Sequence, residues 1–408
     1  MKSISSAPDA ALAFVELASD LDALLRAARE HLGMEAAFIS KFAEGQRVVI
    51  HADAAGPSPI AVGTSDPLEE TYCQRVVDGR LPELIPDTAL VPAAMTVPVN
   101  SRMPVGAHLS LPIRLADGSV YGTFCCLSRA ADPTLNMRDL QVMRFFADLA
   151  TQRIERTLAA QRAHDVKTEA IRGVLEGERL GIVFQPIHDL QKNRIVGVEC
   201  LARFLGPPQQ GPDIWFADAN EVGLGSMLES AAMSRALRAL DVLPADIDLN
   251  INVSPATVLD GTAEAALNGW DPHRIVLEVT EHVAIDDYAA FVAAITPLRA
   301  RGIRLAVDDA GAGYASFRHI LQIRPDTIKL DISLTRGIDA NPDHRALAAA
   351  LIGFAHETGS TIVAEGVETV SELDQLRKLG AHTAQGYLLG RPMGLPDLLS
   401  LLQKAAAF

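Results

Sequence analysis

The sequence predicts two domains in series: an N-terminal α+β domain with an antiparallel sheet, then a modified (β/α)8 barrel whose first strand runs antiparallel. Three observations carry this reading. From about residue 178, eight short β-branched runs alternate with amphipathic stretches. Such alternation argues a mostly parallel sheet under helices, and eight units in roughly 230 residues suit a barrel. The linker between the first two runs, HDLQKN, is too short for a crossover helix, so those two strands should pair antiparallel. Before residue 155, strand-like runs are instead joined by tight turns.

At 408 residues the chain can bury two cores. Its 49% hydrophobic and 21% charged residues are a globular composition, and a net charge of −15 argues against nonspecific nucleic-acid or anionic-membrane partners. The first residues, MKSISSAPDAALAF, are not a signal sequence, and no apolar stretch is long enough to span a bilayer. Cys73, Cys125, Cys126 and Cys200 have no framework spacing, so a reduced cytoplasmic setting is expected.

Residues 8–32 carry helical spacing through Ala11, Phe14, Val15, Ala18, Leu21, Leu24 and Leu25. AAFISKF and QRVVIHADA read as strands around a turn at Glu44-Gly45, and SDPLEETYCQRVVDG as a short helix capped by Ser65 or Asp66. HLSLPIRL and SVYGTFCCLS flank Ala116-Asp117-Gly118, an Asp-Gly hairpin signal. From Asn136 to about Lys167, Leu140, Met143, Ala147, Ala150, Ile154 and Leu158 form one helical stripe. That helix either packs on its own sheet or continues as a connector that pairs with its twin in a homodimer. The boundaries expected are 1–155 for the first domain, 156–177 for the connecting helix and 178–408 for the barrel. Cys73, beside Tyr72, reads as a packing residue. Cys125 and Cys126 should face opposite sides of a strand. His51 and His108 show no ligand spacing.

In the barrel the runs are IVFQPI, RIVGVECLARF, DIDLNINVS, RIVLEVTE, IRLAVDDAG, DTIKLDIS, TIVAEGV and TAQGYLLG. Active sites of such barrels lie at the carboxyl ends of the strands. Those ends offer Gln185, Glu199 with Arg203, Asn252, Glu278, Asp308 with Asp309, Lys329 with Asp331, Glu365 and Gln385. Buried acids at so many ends would repel one another without a partner. Glu199, Asn252, Glu278 and Asp308 present only oxygen, which favours Mg²⁺, Mn²⁺ or Ca²⁺ over zinc. Asp308 and Asp309 are adjacent, and neighbours in a strand point apart. They can share a target only where the strand stops and the backbone bends. There Asp308 could bridge two metals and Asp309 bind the second, the arrangement used for phosphodiester hydrolysis. Lys329 would orient the water or neutralise developing charge, and Arg203 would hold a phosphate.

At these residues a resemblance becomes specific. ECLAR matches the E-x-L-x-R signature of the EAL-domain family of cyclic di-GMP phosphodiesterases, and FQPI, NINVS, LEVTE, VDDAGAGYAS, IKLDIS, VAEGVET and QGYLLGRPM follow in family order over about 178–395. The resemblance implies hydrolysis of 3′,5′-cyclic di-GMP to linear pGpG with two Mg²⁺ or Mn²⁺ ions, Ca²⁺ being an inhibitory candidate. It implies that Glu199, Asn252, Glu278 and Asp308 hold one ion and Asp308, Asp309 and Glu365 the other. Lys329 and Glu365 would serve catalysis, with Glu281 bracing the loop after Asp309. Gln185, Leu201, Arg203 and Gln385 would contact substrate. The family's usual DDFGTGYSS reads DDAGAGYAS here, so Ala310 and Ala312 replace a phenylalanine and a threonine, and Asn220 stands where an acid is common. These departures keep open a second reading, a weak or inactive cyclic di-GMP receptor that signals through a partner. The first domain, over about 10–155, resembles a GAF domain, which implies a sensory module controlling the barrel. Its ligand is not implied.

Overall fold

The computed structural model describes residues 8–279, 285, 287–310 and 320–406. They fall into two compact units, Met1–Asp165 and Val166–Phe408. Glu281 and residues 311–319, including Ala312, lie outside the described residues.

In the first unit, helix α1 (Pro8–Leu32) precedes strands β1 (Ala36–Ala43) and β2 (Gln46–Ala54). Glu44 and Gly45, both at positive φ (51° and 74°), make the tight turn between them. Strand β3 (Ser65–Pro67), helix α2 (Tyr72–Val77), β4 (Leu84–Ile85), β5 (Ala107–Arg114) and β6 (Val120–Ser128) follow. The sheet has the order β3-β2-β1-β6-β5-β4, every pair antiparallel. Ser65 and Asp66 do not cap α2. They pair with Val48 and Arg47 as an edge strand, and the Thr71 side chain accepts from Gln74 N instead. Pairing across the sheet thus displaces a local capping preference.

Strand alternation divides the core of this unit. Ala37, Ile39, Leu109, Phe124 and Cys126 pack in one cluster with Leu25 of α1 and Met143. Phe38, Cys125 and Leu127 pack in another with Tyr72, Cys73 and Val76 of α2. Cys125 and Cys126 therefore take opposite faces, as the strand period requires. Met143 belongs to helix α3 (Met137–Glu176), which runs on well past Lys167.

The second unit is a closed barrel. Its strands are β7 (Leu180–Asp189), β8 (Arg194–Phe204), β9 (Asp248–Val253), β10 (Ile275–Val279), β11 (Arg304–Ala310), β12 (Thr327–Leu330), β13 (Thr361–Ala364) and β14 (Thr383–Ala384). Around the barrel they run β7 to β14 in chain order, and β14 returns to β7. Both neighbours of β7 pair with it antiparallel; the neighbouring pairs from β8 round to β14 are parallel. Helices α4 (Pro212–Glu221) and α5 (Gly225–Leu237) connect β8 to β9. No described helix is long and apolar enough to cross a membrane.

Candidate active site at the strand ends of the barrel

Lys329, on β12, is fully buried. Its ammonium reaches four carboxylates: Glu278 at 2.7 Å, Glu365 at 2.8 Å, Asp308 at 3.1 Å and Glu199 at 3.5 Å. The fold places each of them. Glu199 on β8 is in register with Gln185 of β7 and Asn250 of β9, while Asn252 of β9 is in register with Glu278 of β10. The Glu365 backbone is tied down at both ends, N–H to the Leu330 carbonyl and carbonyl to the Thr335 hydroxyl. Gly366 follows at φ 67°, where an added Cβ would meet Ile332 at 2.2 Å, so the turn behind Glu365 requires glycine.

Asp308 and Asp309 answer the parity problem in an unexpected way. The strand does not stop before them. It continues to Ala310, which pairs with Leu330, but the register shifts between Val307 and Ala310. Asp309 sits in this irregularity at φ 55°, a left-handed conformation that aspartate tolerates better than most residues. Its N–H donates to Asp308 Oδ1 at 3.0 Å. Ala310 is buried against Val307, Ile320 and Leu330.

Two trios of carboxylates have ligand atoms within 4.8 Å of one another: Glu199, Glu278 and Asp308, then Asp308, Asp309 and Glu365. Asp308 is common to both. Asn252 Nδ2 lies 3.5 Å from Glu199 Oε1, at the limit of a hydrogen bond. Gln385 Nε2 donates to Glu199 at 2.5 Å and to Glu365 at 3.0 Å, while Gln385 Oε1 is buried with no partner among the described residues. Gln185 donates to the Gly390 carbonyl at 3.2 Å. Leu201 and Arg203 line a pocket of about 500 Å³ with Asn252, Phe216 and Asn220. Arg203 Nη1 donates to the Ala202 carbonyl at 2.8 Å.

The cluster is electrostatically loaded. Burial, together with the charges of Glu199 and Asp308, raises the Glu278 carboxyl to about 8 against the pull of Lys329. Burial also raises Glu365 well above the usual carboxylate range. For Lys329, burial alone would lower the ammonium; the four facing acids outweigh it and hold it well above its ordinary value. One ammonium is too little to neutralise these acids. The donor set is all oxygen and convergent, which suits hard divalent cations.

Some participants were not singled out from the sequence. Asn250 Nδ2 donates to Glu278 Oε1 at 2.8 Å, so it fixes that carboxylate. Its shared parity with Asn252 was the available signal. Glu229 of α5 is buried and accepts from Ser254 N at 2.9 Å, bracing the end of β9; no local pattern marks it. Asp331 does not join the cluster: it caps the helix Ile332–Thr335 by accepting from Ser333 N.

A closed barrel with one reversed strand and convergent acids at its strand ends belongs with the modified (β/α)8 barrels. The chain belongs to the EAL domain family, whose profile matches residues 168–392, and a GAF domain profile matches residues 17–155. A cyclic di-GMP phosphodiesterase of Pseudomonas aeruginosa, PA2567, is 33% identical over 253 residues, covering 59% of this chain and 43% of that protein. The probable cyclic di-GMP phosphodiesterase PdeD of Escherichia coli is 32% identical over 222 residues, covering 52% and 41%. The chain thus spans less than half the length of these curated relatives. Among solved structures, the PaMucR phosphodiesterase in complex with c-di-GMP is 29% identical with a TM-score of 0.52, covering 57% of this chain and 99% of that one. The EAL enzyme Bd1971, at 19% identity and a TM-score of 0.54, covers 90% of this chain and 93% of its own and shares the fold.

Proposed function

We propose that the chain hydrolyses cyclic di-GMP to linear pGpG with two divalent cations, Mg²⁺ or Mn²⁺. The observation that carries this reading is the pair of carboxylate trios sharing Asp308. Glu199, Asn252, Glu278 and Asp308 would hold one cation, and Asp308, Asp309 and Glu365 the other. When bound, the cations supply a water activated for attack and stabilisation of the charge that grows on the phosphate. The buried negative excess around Lys329 supports this reading, as do the named activities of the relatives.

The reaction adds water across one P–O3′ bond. The water oxygen bonds to phosphorus, and the 3′ oxygen leaves and takes up a proton. Lys329 stays protonated, held so by four acids, and acts as a fixed donor that orients the water's lone pairs. Gln385 aligns Glu199 and Glu365, and its unpaired Oε1 is an acceptor for a further donor at that point. Arg203 and Leu201, at the wall of the 500 Å³ pocket, would hold the substrate's phosphate and ribose-base portion, with Gln185 nearby on β7. The proposal extends to a homodimer in the cytoplasm whose turnover answers to the GAF domain; the 40-residue α3 is its support.

The test is direct. Purified chain is incubated with cyclic di-GMP and Mg²⁺ or Mn²⁺, and pGpG is sought by chromatography. Metal-dependent pGpG that disappears in Glu199→Gln is expected. Tight binding without pGpG under either metal would replace the enzyme by a receptor.

A further inference from the structure

The first unit carries a second chemical feature, far in sequence from the acids. Cys73 on α2 and Cys125 on β6 are both buried, and their sulfurs are 3.6 Å apart. The contact follows from the fold. Cys125 lies on the sheet face that α2 covers, and the first turn of α2, capped by Thr71, aims Cys73 down at it. A polar nest surrounds the pair. Ser110 Oγ is 3.1 Å from Cys125 Sγ, Thr123 Oγ1 is 3.2 Å from it, and Ser40 Oγ is 2.8 Å from Thr123 Oγ1. Two thiols packed only as apolar fillers do not need three hydroxyls around them.

We propose that Cys73 and Cys125 are a reversible dithiol–disulfide centre, oxidised by hydroperoxides. Bringing the sulfurs from 3.6 Å to a bonding distance of about 2.05 Å asks each to move by less than about 1 Å, within reach of side-chain rotation. The two thiols have distinct parts. The hydrogen bond with Cys125 is the largest influence on Cys73 and, against the opposing effect of burial, lowers it to about 6 with Arg47 helping; burial and the same hydrogen bond raise Cys125. Cys73 is therefore the attacking thiolate. It displaces on the peroxide O–O bond, giving Cys73 sulfenic acid and an alkoxide or hydroxide. Cys125 sulfur then attacks the sulfenic sulfur, the S–S bond forms, and the sulfenic oxygen leaves as water with the Cys125 proton. Two electrons pass from the thiol pair to the peroxide. Leu127, two residues along the same strand face from Cys125, lines a surface pocket of about 360 Å³ together with Ala36 and Met103.

Cys126 is the internal control. It is as buried as its neighbour but faces the other side of the sheet, where burial raises its thiol to about 12. Reduced full-length chain is exposed to a small excess of hydrogen peroxide, then denatured in N-ethylmaleimide and weighed. Reduced chain takes four adducts, one per cysteine. The oxidised chain should take two, the peptides holding Cys73 and Cys125 should be joined, and dithiothreitol should restore four. Cys126→Ser should still lose two adducts on oxidation, and Cys73→Ser should lose none. The proposal is overturned if the treated wild type keeps four adducts, if Cys126 or Cys200 enters the bond, or if the two cysteines go to sulfinic acid instead. Because the wild-type peptide map decides by itself, failure of a variant to fold does not protect the idea.

Discussion

The two units bury charge in opposite ways. In the first, the buried carboxylate of Asp66 is met by two guanidiniums, Arg47 across β2 and β3 and Arg102 at 3.2 Å, and His108 is buried beside the Tyr72 ring. Burial, aided by the Arg47 charge, lowers His108 to about 3, so it is neutral. In the second, one ammonium faces four acids. A buried acid outnumbered by its cations needs no further positive charge. An unmatched cluster is relieved only by protonating its acids or by binding a cation, and that excess is what separates a ligand site from a structural ion pair.

The largest expected effect comes from removing part of the excess. Asp308→Asn, at the acid common to both trios, should lower pGpG formation by about 100-fold or more. The cation-free protein should melt no lower than wild type, because one mutually repelling acid is gone. A variant with near-normal, metal-dependent turnover would break the comparison, since the excess would then serve no chemistry.

Removing the single cation is the converse. Lys329→Met leaves four acids buried around an apolar side chain, and breaking a buried pair this way costs about 3–5 kcal/mol. The melting temperature of the cation-free variant should drop accordingly, and saturating Mn²⁺ should restore a larger share of it than in wild type. In turnover assays kcat should fall far more than KM rises. Loss confined to KM would make Lys329 a substrate clamp.

Much of the second unit is legible in its sequence. The acids, Lys329 and Gln385 all stand at the carboxyl ends of β-branched runs, and strand parity puts Glu199 and Arg203 on one face. The reversal of β7 follows from a six-residue linker. What is not legible depends on the backbone or on distant partners. A register shift with Asp309 at positive φ cannot be read from neighbouring residues. The bracing role of Glu229 needs the packing of α5 on β9. In the first unit, Ser65–Pro67 looks like a helix start until β2 claims it. Cys73 looks like plain packing until α2 lies over β6.

The pH responses should also oppose. The His108 ring titrates at about 3 in the folded chain and near 6.5 unfolded. Below 6.5 the unfolded chain binds a proton that the native one refuses, so stability present above pH 6.5 is lost as pH falls toward 3. At pH 4 the loss from this group is about 3 kcal/mol. The melting temperature of His108→Leu, minus that of wild type, should therefore rise as pH is lowered from 7 to 4. Glu278 has the reverse sign in the cation-free chain: its folded value of about 8 lies above the unfolded one, so stability is fully present below about 4.5 and is lost as pH rises toward 8. A flat difference for His108→Leu would mean the ring is protonated in place and the first unit is not charge-matched.

The smallest effect tests the neutral side of the comparison. Ser40 and Thr123 share a buried hydrogen bond of 2.8 Å across β1 and β6. Ser40→Ala leaves the Thr123 hydroxyl only thiol partners, Cys125 Sγ at 3.2 Å and the Cys73 thiol, which are weak ones. The cost should be about 1 kcal/mol. Thr123→Val leaves the Ser40 hydroxyl only the Cys73 thiol, a weak partner, and should cost a similar amount. Removing both leaves no hydroxyl of the pair unpaired, so the double variant should lose clearly less than the sum of the singles, with a coupling of at least about 0.5 kcal/mol. Urea unfolding of the four proteins completes the cycle. In the barrel the same logic fails: Asp308→Asn and Lys329→Met do not remove a balanced pair, since three acids remain, so their double variant should not return to wild-type stability without a divalent cation. Additive losses at Ser40 and Thr123 would show that these hydroxyls serve the neighbouring thiols rather than each other.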